Sequence, residues 1–293
     1  MAEPTTEIWS PTFPPYACLK DRLRTTTFRR AIHAVVSPGD IVVEPGAGTG
    51  ILTFFATEAG AARVHAVEIS PVLADFLQTS VRRNGLADRV EIIHGDATTV
   101  PLPASVDVVI CELIDTGLME EMQVEVLNAL RARGVIGPQT KIVPGRYSTF
   151  LELVDADDRF YDFHIAVPKH EWPSFADDHL WYHNEVVPLT ERALIAESDF
   201  GGVVATSVTR TLPLTGRQDG LANAVRISGT AHLAPGIDLG ATDTVNGDKI
   251  LDLPTLIAVA AGEPVTVEVS YVLGGGLSSF SCRLAAAPVS AQP

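Results

Sequence analysis

Apolar residues fall into two different rhythms along this chain, and the change from one to the other divides it. From Tyr16 to Val36, Leu19, Leu23, Phe28, Ile32 and Val35 recur at roughly helical spacing, which predicts one helix behind an extended, proline-punctuated arm at 1–15. Short apolar runs then alternate with helical stretches. Ile41–Val43, Arg63–Val67, Val90–Ile93 and Val106–Ile110 read as strands; Thr49–Ala59, Pro71–Arg83 and Glu120–Arg133 read as helices. Asn84-Gly85 and Gly134 are stop signals at helix ends. This alternation predicts a parallel sheet covered on both faces, a Rossmann-like doubly wound α/β unit. After Ile142-Val-Pro-Gly145 the period shifts to two, in Tyr147–Leu153, Gly202–Val208, Ala224–Thr230 and Pro264–Tyr271. Few helical stretches intervene, so an antiparallel β-barrel or sandwich is expected there. The expected division is an arm and covering helix at 1–36, the doubly wound domain at 37–145, the barrel-like domain at 146–284 and a frayed tail at 285–293.

Bulk composition narrows the setting. Hydrophobic residues make up 46% and charged residues 19% of 293, which suits a folded protein of two ordinary domains. The net charge of −15 opposes phosphate binding and favours cationic partners over nucleic acid. Cys18, Cys111 and Cys282 are odd in number and far apart, which points to reduced thiols rather than disulfides or a zinc site. No apolar run has the length of a membrane helix and the N-terminus lacks a secretory signal, so a cytoplasmic, non-membrane protein is expected. His179 and His183 stand at a spacing that can share a metal on a helix, but no third ligand is evident and no metal is expected.

Three segments carry candidate chemistry. The first is Glu44-Pro-Gly46-Ala-Gly48-Thr-Gly50, a strand end opening into a helix through glycines that let backbone approach a ligand. Glu68 closes the second strand, where an acid can accept hydrogen bonds from ribose hydroxyls. A dinucleotide fold shares these features. The GxGxG run without a third GxxG glycine, with Glu44 two positions before it, favours an S-adenosylmethionine cradle, with Asp96 beside Ala97 as the acceptor for an adenine amino group. A structural turn is the plainer alternative.

The second segment runs from Cys111-Glu112 to Glu120-Glu121. Glu112 follows the fourth strand, and Glu121 lies nine positions on, beyond Gly117. Two carboxylates in one pocket repel unless a cation lies between them, and a guanidinium matches carboxylates through its forked donors. Against this, Glu120, Glu121 and Glu125 also suit an ordinary helix start. The third segment is Leu19–Thr25. A helix ahead of the first strand can cover a bound cofactor, with Arg24 pairing its carboxylate; a solvated charged face is the alternative.

Together these segments resemble the protein arginine methyltransferase family. Cys18-Leu-Lys-Asp21-Arg-Leu-Arg24-Thr25-Thr-Thr-Phe28-Arg29 matches its upstream motif, Glu112 and Glu121 match its paired glutamates, and Lys141–Arg146 is similar to its passage into the barrel. The Glu-Leu-Ile-Asp-Thr sequence looks closest to the monomethylating branch. The match is good over 16–150 and only in outline beyond. Its aromatic N-terminal motif is not recognisable, although Phe13 and Tyr16 lie near its place. Cys18 replaces the usual methionine, and the Thr-His-Trp loop that helps wall the arginine pocket is absent near Thr244–Asp248.

The resemblance implies methyl transfer from S-adenosylmethionine to a guanidino nitrogen. Arg24, Glu44, Gly46, Gly48, Gly50, Glu68, Asp96, Ala97 and Glu112 would hold the cofactor. Glu112 and Glu121 would hold the acceptor, and one of them, or Asp115, would take the released proton. The missing loop and a chain short for the family favour free arginine, an arginine-derived small molecule or a peptide over a protein acceptor. Other readings are another N- or O-nucleophile, a protein arginine methyltransferase, and a cofactor-binding scaffold without transfer. The family also implies a homodimer, with His170–Trp172 to Trp181–His183 as a shortened arm or a substrate lid.

Overall fold

The computed structural model describes residues 13–176 and 185–285. Strands β1 (Ile41–Pro45), β2 (Arg63–Glu68), β3 (Val90–His94), β4 (Val108–Ile110) and β5 (Lys141–Val143) form a parallel sheet in the order β3-β2-β1-β4-β5. Val42, Val43, Val64, Ala66 and Val108 are completely buried, which is why these strands read as apolar runs without alternation. Chain order reverses between β1 and β4, and the carboxyl ends of those two strands carry the glycine loop and Glu112. A crevice at such a reversal is where open α/β sheets bind ligands.

Helices α1 (Phe13–Lys20), α2 (Arg22–Val35), α3 (Ile51–Glu58), α4 (Pro71–Arg83) and α5 (Gln123–Ala132) include some departures from the expected pattern. The single helix expected at 16–36 is two. Asp21 is extended, and its carboxylate accepts the Arg24 N–H at 2.9 Å, which starts α2 afresh. The first residues of α1 belong to the segment expected to be an extended arm; Pro14 and Pro15 fit its first turn, where missing N–H groups cost nothing. Helix α5 begins at Gln123 rather than Glu120 because Asp115 accepts the backbone N–H groups of Met119, Glu120 and Glu121, each at 3.1 Å, and holds 116–122 as a turn.

The second half is antiparallel. Its strands are β6 (Arg146–Ala156), β7 (Arg159–Phe160), β8 (Phe163–His164), β9 (Lys169–Glu171), β10 (Val186–Pro188), β11 (Ala193–Asp199), β12 (Ser207–Thr215), β13 (Gly220–Ala234), β14 (Ile237–Leu239), β15 (Asp248–Val259), β16 (Pro264–Val272) and β17 (Ser281–Leu284). The larger sheet runs β10-β6-β13-β15-β9, with β11 also on β6 and β14 on β13; the smaller runs β12-β16-β17. Leu151, Val225 and Val267 join Ile32 and Val42 in one apolar cluster, so the two halves share a continuous core. The strand expected at 202–208 starts only at Ser207, since Gly201 and Gly202 turn the chain out of β11. His170 and Glu171, at the start of the segment expected to form an arm or lid, lie in β9 and pair with Lys249 and Asp248. Residues 177–183 of that segment, with His179 and His183, residues 1–12 of the expected arm, and 286–293 of the expected tail lie outside the described residues.

Candidate active site

The glycine loop leaves β1 with Gly46, Gly48 and Gly50 all at positive φ. A Cβ on Gly46 would press into Leu113, next to Glu112, so glycine permits the loop and the glutamate segment to touch. Glu68, at the end of β2, accepts the Gly48 N–H at 2.7 Å through one oxygen and the Ser70 N–H at 2.8 Å through the other. It thereby shapes the loop, and each oxygen keeps a second acceptor site. Glu44 faces inward and accepts the Thr53 hydroxyl of α3. Burial pushes its carboxyl up to about 8, against the opposing pull of that hydroxyl. Asp96 is exposed and accepts the backbone and hydroxyl of Thr98, and Ala97 beside it is buried.

Arg24 comes to the same crevice from α2. It pairs with Glu112, and its Nη1 donates to the Cys18 carbonyl at 3.2 Å. Its Nε is buried without a hydrogen-bond partner. Glu112 is fixed from behind by Gln123, which accepts the Leu113 N–H at 2.9 Å and donates to the Cys111 carbonyl at 2.8 Å. Glu121 lies close enough for Glu112 and Asp115 to act on it. Burial first, then those two anions, push its carboxyl up to about 8, while Lys249 and Arg24 pull the other way. The structure thus brings Arg24, Glu112, Asp115 and Glu121 to one place at the sheet's carboxyl edge.

Several residues of this site were not singled out from the linear sequence, where a lysine within the apolar run Lys249–Leu251 is the one hint. Lys249, from β15, pairs with Asp115 and with Glu120 at 2.7 Å. The Tyr147 hydroxyl donates to Asn246 at 2.7 Å and accepts the Gly117 N–H at 3.2 Å. Thr244 donates its hydroxyl to Asp21 at 2.7 Å. His170 contacts the Gly247 carbonyl at 3.1 Å and stacks on Trp172 with ring centroids 4.1 Å apart. A Cβ on Gly247 would collide with the Trp172 ring. An imidazole from β9 and the indole that follows that strand therefore pack over the loop where the sequence lacks Thr-His-Trp. Among the described residues, no group of three His, Cys, Asp or Glu is placed to hold a metal, and no helix is long and apolar enough to cross a membrane.

A family model described as a methyltransferase domain matches residues 42–134. The solved Trypanosoma brucei PRMT1 enzyme–prozyme heterotetrameric complex with AdoHcy shares the fold, with a TM-score of 0.68 and 22% identity over 86% of this chain and 85% of that one. The first half of the chain therefore carries a methyltransferase domain of the adenosylmethionine-dependent class. Its relatives give the particular likeness. A probable protein arginine N-methyltransferase 6 of Arabidopsis thaliana is 35% identical over 48% of this chain and 33% of its own length. The histone-arginine methyltransferase CARMER of Drosophila erecta is 40% identical over 43% and 24%. An uncharacterized protein of Methanocaldococcus jannaschii is 38% identical over 48% and 54%. The protein is thus related to the protein arginine methyltransferases, and its matches span about half the length, or less, of these curated relatives.

Proposed function

We propose that the protein transfers the methyl group of S-adenosylmethionine to a guanidino nitrogen, and that its acceptor is free arginine, an arginine-derived small molecule or a peptide rather than a folded protein. The observation that carries this reading is the convergence of Glu112 and Glu121 beside the glycine loop, with Glu112 already holding a guanidinium, that of Arg24.

The residues present suit the cofactor. The unpartnered Arg24 Nε is a buried donor that a carboxylate would satisfy. Gly46, Gly48 and Gly50 leave room for close approach, Glu68 has acceptor sites for ribose hydroxyls, and Asp96 with Ala97 would face the adenine. Glu44 would brace the loop from below through Thr53. When bound, adenosylmethionine would supply the electrophilic methyl group, its methyl–sulfur bond breaking to leave adenosylhomocysteine as the nitrogen–carbon bond forms. Glu112 and Glu121 would clasp the acceptor guanidinium and hold one nitrogen in line with that methyl. Their charge favours the cation as its nitrogen bonds to carbon. The acceptor nitrogen gains a methyl and loses a proton. Glu121 is the group for that proton, because both oxygens of Asp115 are engaged by three backbone N–H groups and Lys249.

The packing of His170 and Trp172 over Gly247 supports a compact acceptor. A homodimer is part of the proposal: Phe163, Ile165 and Val167 are exposed apolar side chains beyond β6, and pairing of two copies would cover them. Sedimentation of the full chain tests that pairing, and a monomer at micromolar concentration overturns it.

Labelled adenosylmethionine offered with free arginine, an arginine-rich peptide and a non-guanidino amine in parallel tests the acceptor. Label on both guanidino compounds, greatest on free arginine, is expected. Label on the amine alone overturns the guanidino reading.

A further inference from the structure

Lys249 is a lysine in the interior, with a side chain only 2% exposed. A buried ammonium persists only where anions compensate its lost hydration. Here they are Asp115 and Glu120, both from the loop between the two glutamates. Asp115 in turn accepts the N–H of Glu121 itself. A side chain from the barrel strand β15 thus grips, through one carboxylate, the backbone that carries the second glutamate. The neighbouring strand β9 contributes His170, which also lies in the field of Lys249, Glu120 and Asp115.

The charges acting on Glu121 come from every side of the pocket. Glu112 and Asp115 are anions of the same segment, Arg24 is a cation from α2, and Lys249 is a cation from β15. Arg24 is engaged by Glu112. Lys249 pairs with Asp115 and opposes its effect on Glu121. We propose that Lys249 is the positioning residue of this site, orienting the loop that bears Glu121 and supplying the barrel-side positive charge that opposes Glu112 and Asp115 in the pocket meant for a cationic acceptor. The proposal rests on the reading that Glu121 receives the acceptor. It adds that the barrel, through one ammonium, governs the charge of a pocket built on the parallel sheet.

The experiment follows the Glu121 carboxyl by carbon NMR across pH in the full-length protein with S-adenosylhomocysteine bound, its resonance assigned by loss in Glu121→Gln. Lys249→Met, which keeps much of the stem and removes the charge, is expected to raise the midpoint by about one pH unit, and Lys249→Arg to restore it. Asp115→Asn, which removes the anion and leaves the ammonium, is expected to lower it, and carries the test should Lys249→Met not fold. Midpoints unmoved in the variants that fold overturn the proposal, because a merely structural lysine would change stability without changing this titration. In transfer assays at pH 7.5, Lys249→Met is expected to raise the acceptor KM about tenfold with the cofactor KM unchanged. Wild-type protein that methylates no guanidine overturns the acceptor reading, while the titration still judges Lys249.

Discussion

Arg24 and Glu112 lie 88 residues apart in the chain and form an ion pair whose side chains are only 6% and 10% exposed. The pair joins the helix that precedes the first strand to the loop that follows the fourth. It makes Arg24 a bridge, with Glu112 on one side and an unpartnered Nε left for another anion.

Breaking that bridge should hurt both chemistry and fold. Glu112→Gln is expected to lower kcat at least a hundredfold, since it removes the charge that holds the acceptor. Glu112→Ala is expected to cost about 3–5 kcal/mol of stability by stranding a buried guanidinium. Single-turnover transfer and denaturant unfolding measure the two effects. Full transfer by Glu112→Gln would rule out the glutamate's proposed role.

Arg24→Lys should separate the two ligands. A compact ammonium lacks the fork that serves a carboxylate and Glu112 together. Cofactor affinity measured by calorimetry is expected to weaken at least tenfold, with a smaller change in acceptor KM.

The raised carboxyls give a pH dependence of fixed sign. Glu44 and Glu121 are held near 8 in the folded protein, above the ordinary value of 4.5. The folded state therefore binds more protons than the unfolded state between about pH 4.5 and 8, and stability falls as pH rises through that window. Their contribution is expected to lower Tm by roughly 10–20 °C between pH 5.5 and 8, and Glu44→Gln should flatten part of that slope. Transfer should move the other way, rising with pH as Glu121 ionises. A flat stability contribution from Glu44, shown by an unchanged slope in Glu44→Gln, would contradict its assignment.

Gly247 offers a steric test of the aromatic wall. Gly247→Ala would drive a methyl into the Trp172 ring and displace it from His170. The expected result is a severalfold rise in acceptor KM without a change in cofactor affinity, and Trp172→Ala should reproduce it. Fluorescence of the indole reports whether the ring has moved.

Much of the first half could be read from the sequence because its signals are local. Apolar runs such as Val108–Ile110 are buried on both faces, Gly46–Gly50 follows directly on β1, and Pro71 after Ser70 starts α4 where expected. Glu112 stood out because an acid just after a buried strand has no structural excuse, and Glu121 only through its spacing of nine from Glu112, since it also suited a helix start. The second half was less legible for a physical reason. Between Asp252 and Ile257 the pairing of β15 with β13 shifts register, and Leu253, Pro254, Thr255 and Leu256 interrupt the alternation. Lys249, Thr244, Asn246 and His170 matter only because β9 and β15 run beside the glutamate loop. Their spacing along the chain contains no trace of that meeting. A lysine inside the buried run Lys249–Leu251 was the one available hint.

The hydrogen bond from Thr244 to Asp21 ties these parts together. Asp21 caps α2, the helix that brings Arg24 to the crevice, and Thr244 precedes Lys249 by five residues in the loop entering β15. A displacement at either end of that bond is therefore passed to the other. Thr244→Val, which removes the bond and keeps the bulk, is expected to weaken binding on both sides of the crevice at once, and calorimetry showing both affinities unchanged would leave the two parts independent.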